Sequence, residues 1–576
     1  MNEATSTEGG LLLAAAVLLP FAGMLLGLLA GGRQAQRIAF VVMPLGLAIA
    51  LGIAAAWLDE VGPVVYLLGG WAPPLGIALR ADGPAVAMLL AVAVVVIGIG
   101  LFARADFGTP PGGAESRASY SYWLLLLAVW GSLNLVFVSG DLFTLYVALE
   151  LLTFAGVPLV CLAGSGETLR AALRYLLFAL CGSVLYLLGA VLLYGGYGTL
   201  DIPLLAGQVA AEPIAWTALA LMTVGLLAKT ALFPLHIWLP PAHGGAPAAA
   251  SAVLSALVIK GSWFLVLRLW LDVMPGVASL PAAQLLAALG AAAIVVGSVV
   301  ALRQQRLKLL VAYSTVAQIG YLFLLFPMAF DAAGDMTMGD LAQGAGLLQA
   351  IAHATAKAGM FMAAGLVYAA LGHDRIDDLA GVARTLPVTV LAFVIGGVAL
   401  MGVVPSGAYL AKKLLLDSAD ASGQWWWTVV LQGGAAFTAG YVVLVLARVL
   451  RRPAAPLTDV APVSMLSQLA ALGLALASLL LALVAAVGLL PSSLLANPLS
   501  PKELGTTLAV LAGGALLAAA LARRPLIGSG AGAARRAGVA LGLAFERGDH
   551  FVRRWPSAML ALLLIAAACG TLLVRA

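Results

Sequence analysis

Residues 221–273 read LMTVGLLAKTALFPLHIWLPPAHGGAPAAASAVLSALVIKGSWFLVLRLWLDV and combine the features that decide the fold. An apolar helix carries Lys229, a break follows at Pro234, and a second apolar helix carries Lys260. A lysine at the bilayer centre costs about 2.5–3.5 kcal/mol on insertion scales, so it indicates a function. A proline-interrupted helix is tolerated in a membrane where the freed backbone groups face protein or water. The stretch therefore predicts a charged, hydrated path through a membrane protein.

The composition extends this interpretation to the whole chain. Of 576 residues, 63% are hydrophobic and 10% are charged, and the mean hydropathy is +1.07. A soluble domain would carry about 25% charged residues. We therefore predict an all-α polytopic membrane protein. Its sixteen apolar segments lie near 10–30, 38–58, 83–103, 120–139, 142–163, 170–196, 214–234, 246–271, 278–301, 308–330, 342–371, 386–412, 425–449, 463–490, 505–522 and 556–573.

The basic residues predict the orientation of these segments. Loops after odd-numbered segments hold most of the 30 lysines and arginines, and such loops face the cytoplasm under the positive-inside rule. We expect a multi-pass protein of the bacterial inner membrane with its N-terminus outside. The N-terminal MNEATSTEGG lacks the basic region of a cleaved signal, so we expect the first helix to be retained. The net charge of +5 does not indicate nucleic-acid binding, because the basic residues are scattered.

Two segments outside the apolar helices have their own patterns. Residues 59–82 carry Gly and Pro turns and predict a small external hairpin. Residues 523–555 mix arginines with an apolar run, which fits an amphipathic helix on the cytoplasmic surface or a basic linker equally well.

Polar residues within the predicted helices are candidates for the path. Glu150 is the one clear carboxylate, and Lys229 is its candidate partner. Such a pair could poise the lysine between its charged and neutral forms; a static ion pair joining two helices is the alternative. His353 and Lys357 are spaced i, i+4 on one helix face, which favours a proton relay over a histidine satisfied by its neighbours.

A second break near Pro405 precedes two adjacent lysines, of which we expect Lys412 to be the buried one. Tyr313, Ser314 and Gln318 could carry water between charged sites or simply join helices by hydrogen bonds. Five lysines within predicted helices or at their ends exceed the carboxylates available, so several must be neutral part of the time or hydrated. Groups that change charge in this way are proton carriers.

The cysteines give no sign of a cofactor. Cys161, Cys181 and Cys569 all lie in apolar stretches without a C-x-x-C motif, so we predict no metal site and no bound cofactor.

Eight blocks between about residues 80 and 450 resemble the antiporter-like subunits of respiratory complex I, membrane-bound hydrogenases and Mrp-type cation/proton antiporters. They are GDLFTLYVALE (140–150), RYLLFALCGSVLYLLGAVLLYGGYGTL (174–200), LLAKTALFPLHIWLPPAH (226–243), SALVIKGSWFLVLR (255–268), RLKLLVAYSTVAQIGY (306–321), AHATAKAGMFMAAG (352–365), DLAGVARTLP (378–387) and VPSGAYLAKKLLL (404–416). The resemblance implies about fourteen core helices with two inverted five-helix repeats, each containing a broken helix. Two further helices at the C-terminus would extend that core.

The resemblance also implies a proton pathway, whose residues by motif are Glu150, Lys229, Lys260, His353, Lys357 and Lys412. Many relatives carry a histidine shortly before the eighth-helix lysine; SALVIK has none, and Ser255 or water could substitute. The implied divisions are 1–119 (N-terminal helices and hairpin), 120–272 and 273–450 (the repeats), 451–522 (C-terminal helices) and 523–576 (basic surface segment and last helix).

We therefore predict a proton-translocating, antiporter-like membrane subunit of a multisubunit complex, of complex I or Mrp type, working with other membrane subunits. No nucleotide motif or cluster ligand is present, so we expect no redox chemistry from the chain itself. Sodium stays open as a second transported ion. The alternatives are an energising subunit of an inorganic-carbon uptake system and a structural membrane subunit that does not pump.

Overall fold

The computed structural model describes residues 5–109, 115–337, 339–453, 457, 460–484, 500–524 and 532–574. Fifteen helices in these ranges are long and apolar enough to cross a membrane. The predicted all-helical, polytopic architecture is thereby confirmed. The two inverted repeats stay a prediction, and the end of the fourteenth predicted segment lies outside the described residues.

The long helices are labelled in chain order. They are α1 (Leu11–Ala30), α2 (Gly32–Asp59), α3 (Gly83–Phe107), α4 (Arg117–Val138), α5 (Leu142–Cys161), α6 (Gly166–Tyr197), α7 (Pro213–Thr230), α8 (Ala248–Val273), α9 (Leu280–Leu302), α10 (Leu307–Met328), α11 (Gly339–Leu371), α12 (Pro387–Leu400), α13 (Gly407–Ala421), α14 (Trp425–Val449), α15 (Met465–Leu483), α16 (Pro501–Leu521), α17 (Ala533–Val552) and α18 (Trp555–Val574). Short helical turns occur at Leu68–Gly70, Ile202–Ala206, Leu239–Gly245, Ile376–Asp378 and Val382–Thr385.

The predicted hairpin between α2 and α3 is present. Strands β1 (Val64–Leu67) and β2 (Ala78–Ala81) pair antiparallel, with Val64 opposite Ala81. Val65, Leu67 and Ala78 form its small buried cluster. The side of the membrane on which this hairpin lies stays a prediction.

The chain forms two compact units. The first comprises Met1–Thr230, Gly245–Ala282 and Leu562–Ala576. Within it, α6 and α7 meet backbone to backbone: a Cβ added at Gly182 would lie 2.5 Å from the Gly225 carbonyl oxygen, and one added at Gly225 would lie 2.3 Å from that of Gly182. Only glycine permits this approach. It sets the separation of α6 from α7.

The second unit comprises Ala231–Gly244 and Ala283–Ala561. Helix α11 lies at its centre and packs against α12, α13 and α15. Nearly every residue in the middle of α11 is buried, including His353 and Lys357. A helix that buries both charged and apolar side chains must supply those charges with polar neighbours inside the unit.

Residues 533–552 of the predicted basic segment 523–555 form the helix α17, which agrees with the helical alternative over these residues. Leu541 and Phe551 are exposed on it, as in helices that lie in a membrane interface. The opposite side is anchored, because Glu546 pairs at 3.2 Å with Arg303, a side chain only 2% exposed. Its placement on the cytoplasmic surface stays a prediction.

Candidate functional site

The first helix break lies at the end of α7. The helix ends at Thr230, four residues before Pro234, where the sequence predicts the break. Proline has no N–H, and its ring clashes with the carbonyl four residues earlier, which for Pro234 belongs to Thr230. The last helical turn therefore contains Lys229.

Three helices meet at the Lys229 ammonium. Its Nζ donates to Glu150 Oε1 on α5 at 3.2 Å, to Thr153 Oγ1 one turn further along α5 at 3.0 Å, and to Ser183 Oγ on α6 at 2.5 Å. Lys229 is 6% exposed and Glu150 is 13% exposed. An ammonium has three donor hydrogens, and each has an acceptor here. The predicted pairing of Glu150 with Lys229 is the geometry that the structure has.

A small cavity adjoins this ammonium. It measures about 10 Å³ and is lined by Lys229 together with Thr153, Tyr175 and Ser262 among others. That volume admits roughly one water molecule, and the polar lining gives such a water hydrogen-bond partners. The cavity beside Lys229 therefore has the size of a single water molecule.

Lys260 lies on α8 and is 1% exposed. The helix widens to a π-helical turn at Leu254–Val258, and the Lys260 Nζ reaches back 2.7 Å to the backbone carbonyl of Ser255. Ser255 thus meets Lys260 through its backbone carbonyl, and its predicted part in the relay stays a prediction. Such π turns recur at functional sites, since they displace the regular ladder of carbonyl groups.

In the second unit, Lys357 and His353 lie one turn apart on α11, both fully buried. The Lys357 ammonium donates to the Ser314 hydroxyl on α10 and, at 3.4 Å, to the Val311 carbonyl. It lies 5.9 Å from the centre of the Tyr441 ring. Of the predicted relay residues, the structure therefore brings Ser314 directly to a lysine.

Gln318 and Tyr313 have different surroundings. Gln318 donates to Thr438 Oγ1 at 3.1 Å and accepts from Gln349 at 3.3 Å, which joins α10 to α14 and α11. Tyr313 instead donates to Asp549 Oδ2 at 2.7 Å on α17. The structure places Tyr313 in a cluster that the sequence did not indicate.

The second break separates α12 from α13, where we expected one interrupted helix. α12 ends at Leu400, five residues before Pro405, and α13 begins at Gly407 with Ser406 as its N-cap. Gly402 has φ of 64°, and a Cβ there would lie 3.5 Å from the Lys412 side chain, which crosses the gap. Lys412 is 9% exposed and buried, as expected, whereas Lys413 is half-buried.

Two groups of polar contacts were missed from the sequence. The first is the pair of hydroxyls, of Thr153 and Ser183, that accept from Lys229. The second is the carboxylate of Asp549, which contacts His236, Tyr313 and Arg553. Serine and threonine are too common in apolar helices to single out. Asp549 lies in the basic segment and acquires its partners only through the fold.

Comparisons with known proteins identify relatives of this chain. A family model described as "NADH:quinone oxidoreductase/Mrp antiporter, TM" matches residues 139–438. NADH-quinone oxidoreductase subunit N of Desulforudis audaxviator is 34% identical over 388 residues, 67% of this chain and 75% of that protein. The D component of the Na(+)/H(+) antiporter of Bacillus subtilis is 28% identical over 364 residues, 62% of this chain and 70% of that protein.

A solved structure also shares the fold. A chain of the Mrp complex from a Dietzia species superposes with a TM-score of 0.73, covering 90% of this chain and 98% of that one at 22% identity. The family resemblance inferred from the eight sequence blocks is confirmed.

Proposed function

Because the chain belongs to the NADH:quinone oxidoreductase/Mrp antiporter transmembrane family, we propose that this antiporter-like subunit moves protons through a relay of buried ionisable side chains. The relay residues are Glu150, Lys229, Lys260, His353, Lys357 and Lys412. Glu150, Lys229 and Lys260 lie in the first unit, and His353, Lys357 and Lys412 in the second. Each unit contributes a lysine beside a helix break.

The contact between Lys229 and Glu150 carries the proposal. Their atoms are 3.2 Å apart between two membrane-crossing helices, where an unpaired charge is strongly disfavoured. A carboxylate so close favours the ammonium, and a small displacement of either side chain favours the neutral amine. The hydroxyls of Thr153 and Ser183 can accept from the ammonium and can donate to the neutral amine nitrogen. The site can therefore hold either protonation state.

The buried lysines of the second unit support the same function. Lys357 is fully buried and bonds to a hydroxyl and a backbone carbonyl, and no ion pair to it occurs among the residues that the structure describes. A permanent charge in such surroundings would be costly. A group that alternates between charged and neutral forms fits them better.

The wider assignment follows from the family. Its named relatives include a component of an NADH-quinone oxidoreductase and a component of a sodium/proton antiporter. We propose that this chain works in a comparable multisubunit complex of a bacterial inner membrane, with its N-terminus outside. We propose protons as the transported ion, because lysine side chains bind and release protons. Whether sodium is also transported is tested by the assay below.

Inside-out vesicles from the native host, with variants made in the chromosomal copy, provide the test. Lys229→Ala and Glu150→Ala should each abolish proton movement driven by an imposed potential, with the subunit still inserted and assembled. Asp374→Asn is the matched control, since it weakens a 2.9 Å ion pair with Arg306 that lies outside the relay. Unchanged proton flux in both relay variants would overturn the proposal. Repeating the assay with and without sodium separates the two kinds of coupling.

A further inference from the structure

Helix α16 brings a carboxylate to the second helix break. The Tyr409 hydroxyl, in the first turn of α13, donates to Glu503 Oε1 at 3.0 Å. Glu503 lies in the first turn of α16, where its backbone N–H is capped by Ser500 Oγ at 3.3 Å. The positive end of a helix dipole favours a carboxylate at this position. The Glu503 carboxyl group therefore lies close to the start of α13.

Lys412 lies one turn beyond Tyr409 on the same helix. Residues three apart on a helix are neighbours, so Lys412 lies beside Tyr409, and its ammonium is attracted to the carboxylate to which Tyr409 donates, that of Glu503. Lys412 and Glu503 do not form a direct ion pair, because no carboxylate oxygen of the described residues lies within 4.0 Å of the Lys412 ammonium. The attraction acts across a gap that the Tyr409 hydroxyl or a water molecule can bridge.

Resting on the relay proposed above, we propose that Glu503 is the proton acceptor for Lys412, with Tyr409 as the positioning residue between them. The Lys412 ammonium gives one proton to the Tyr409 oxygen or to a bridging water, which passes one of its own to Glu503. Lys412 becomes a neutral amine and Glu503 a neutral carboxylic acid. Glu503 is half-buried, and its neighbours Pro501, Lys502 and Leu504 are exposed, so it can then release the proton to water.

This acceptor comes from outside the region shared with the family model, which ends at residue 438. From the sequence, Glu150 was the one clear carboxylate set against the buried lysines. Glu503 supplies a second carboxylate, and it does so for the lysine at the second break as Glu150 does for the lysine at the first.

The test uses the same vesicles with Glu503→Gln, Glu503→Asp and Tyr409→Phe. Glu503→Gln should lower proton movement roughly 100-fold, the range of a lost acid–base group. Because the charged form of Lys412 loses an attraction, the alkaline limit of the remaining activity should move down by about one pH unit. Glu503→Asp should restore most of the rate, and Tyr409→Phe should give an intermediate loss.

Glu212→Gln is the matched control. Tyr197 donates to Glu212 at 2.5 Å, so the pair has the same chemistry at an exposed place away from every relay residue. If Glu503→Gln behaves like Glu212→Gln while Lys229→Ala abolishes movement, the acceptor is wrong and the relay stands. If Lys229→Ala also leaves movement intact, the relay itself is wrong. A loss in Glu503→Gln without any change in pH profile would indicate a purely structural contact and overturn the proposal.

Discussion

The Nε2 atom of His236 lies 2.8 Å from Asp549 Oδ1, although the two residues are 313 positions apart. The segment after the first helix break is thereby tied to α17. Arg553 and Tyr313 also donate to this carboxylate, at 2.8 Å and 2.7 Å. Burial alone would raise the pKa of Asp549, but these contacts, that with His236 foremost, hold its pKa at about 2.

Asp549→Ala should release the last turn of α17. Asp549 is 2% exposed, and removing one partner of a buried charged cluster costs about 3–5 kcal/mol. Hydrogen exchange over residues 533–552, measured on the purified complex, should accelerate strongly. His550→Ala changes the next, exposed residue and should leave exchange as in the wild type.

The contacts of Asp549 also predict how the stability of α17 depends on pH. Because the folded pKa of about 2 lies below the usual value of about 3.9 for aspartate, the stabilisation is present above about pH 4 and is lost as the pH falls towards 2. Protection of α17 from hydrogen exchange should therefore fall in the wild type as the pH approaches 2. If Asp549→Ala kept the protection that the wild type has at neutral pH, the anchoring would be wrong.

Gly225→Ala should separate α6 from α7. A methyl group there meets the Gly182 carbonyl oxygen at 2.3 Å, so the helices must move apart at a cost of about 1–3 kcal/mol. The 2.5 Å contact between Ser183 and Lys229 should lengthen as well. We expect a lower Tm of the complex together with slower proton movement in vesicles.

Gly195→Ala, on α6 with no atom within 4 Å of the new methyl group, is the control. Alanine is the better helix former by roughly 0.5–1 kcal/mol, so this variant should be neutral or slightly more stable. Equal behaviour of the two variants would show that close helix packing does not matter here.

Lys357→Met should separate stability from function. The side chain is fully buried with no ion pair among the described residues, so an apolar side chain of similar length removes the cost of burying a charged group. We expect an unchanged or higher Tm and a loss of proton movement. Thr355→Val makes a comparable buried change on the same helix and should preserve both. Proton movement that persists in Lys357→Met would remove this lysine from the relay.

The fold was predictable from the sequence where a residue type has one dominant effect in a bilayer, as apolar runs, charged residues and prolines have. Long apolar runs specified the spanning helices. The pairing of Glu150 with Lys229 is predictable from the sequence, because an unpaired charged side chain within the bilayer is energetically unfavourable. The prolines at 234 and 405 located both breaks, with the helix ends displaced by four or five residues through the clash of each ring with the preceding turn.

Contacts between distant polar residues were not predictable in the same way. Ser183 reaches Lys229 across 46 positions, and Tyr409 reaches Glu503 across 94. Nothing in the local pattern around Ser183 or Glu503 distinguishes them from other serines in apolar helices or other acids at helix starts. Only the packing of the helices selects them.

The two breaks present opposite helix ends to their lysines. Lys229 is the penultimate residue of α7, where the unpaired carbonyl groups of the helix end are negative and favour a cation by up to about 2 kcal/mol in buried sites. Lys412 is the sixth residue of α13, beyond the first turn within which unpaired N–H groups act on a charge, so this helix end has little effect on it. We therefore expect the two lysines to hold a proton unequally, because only Lys229 lies where the carbonyl groups of a helix end favour a cation.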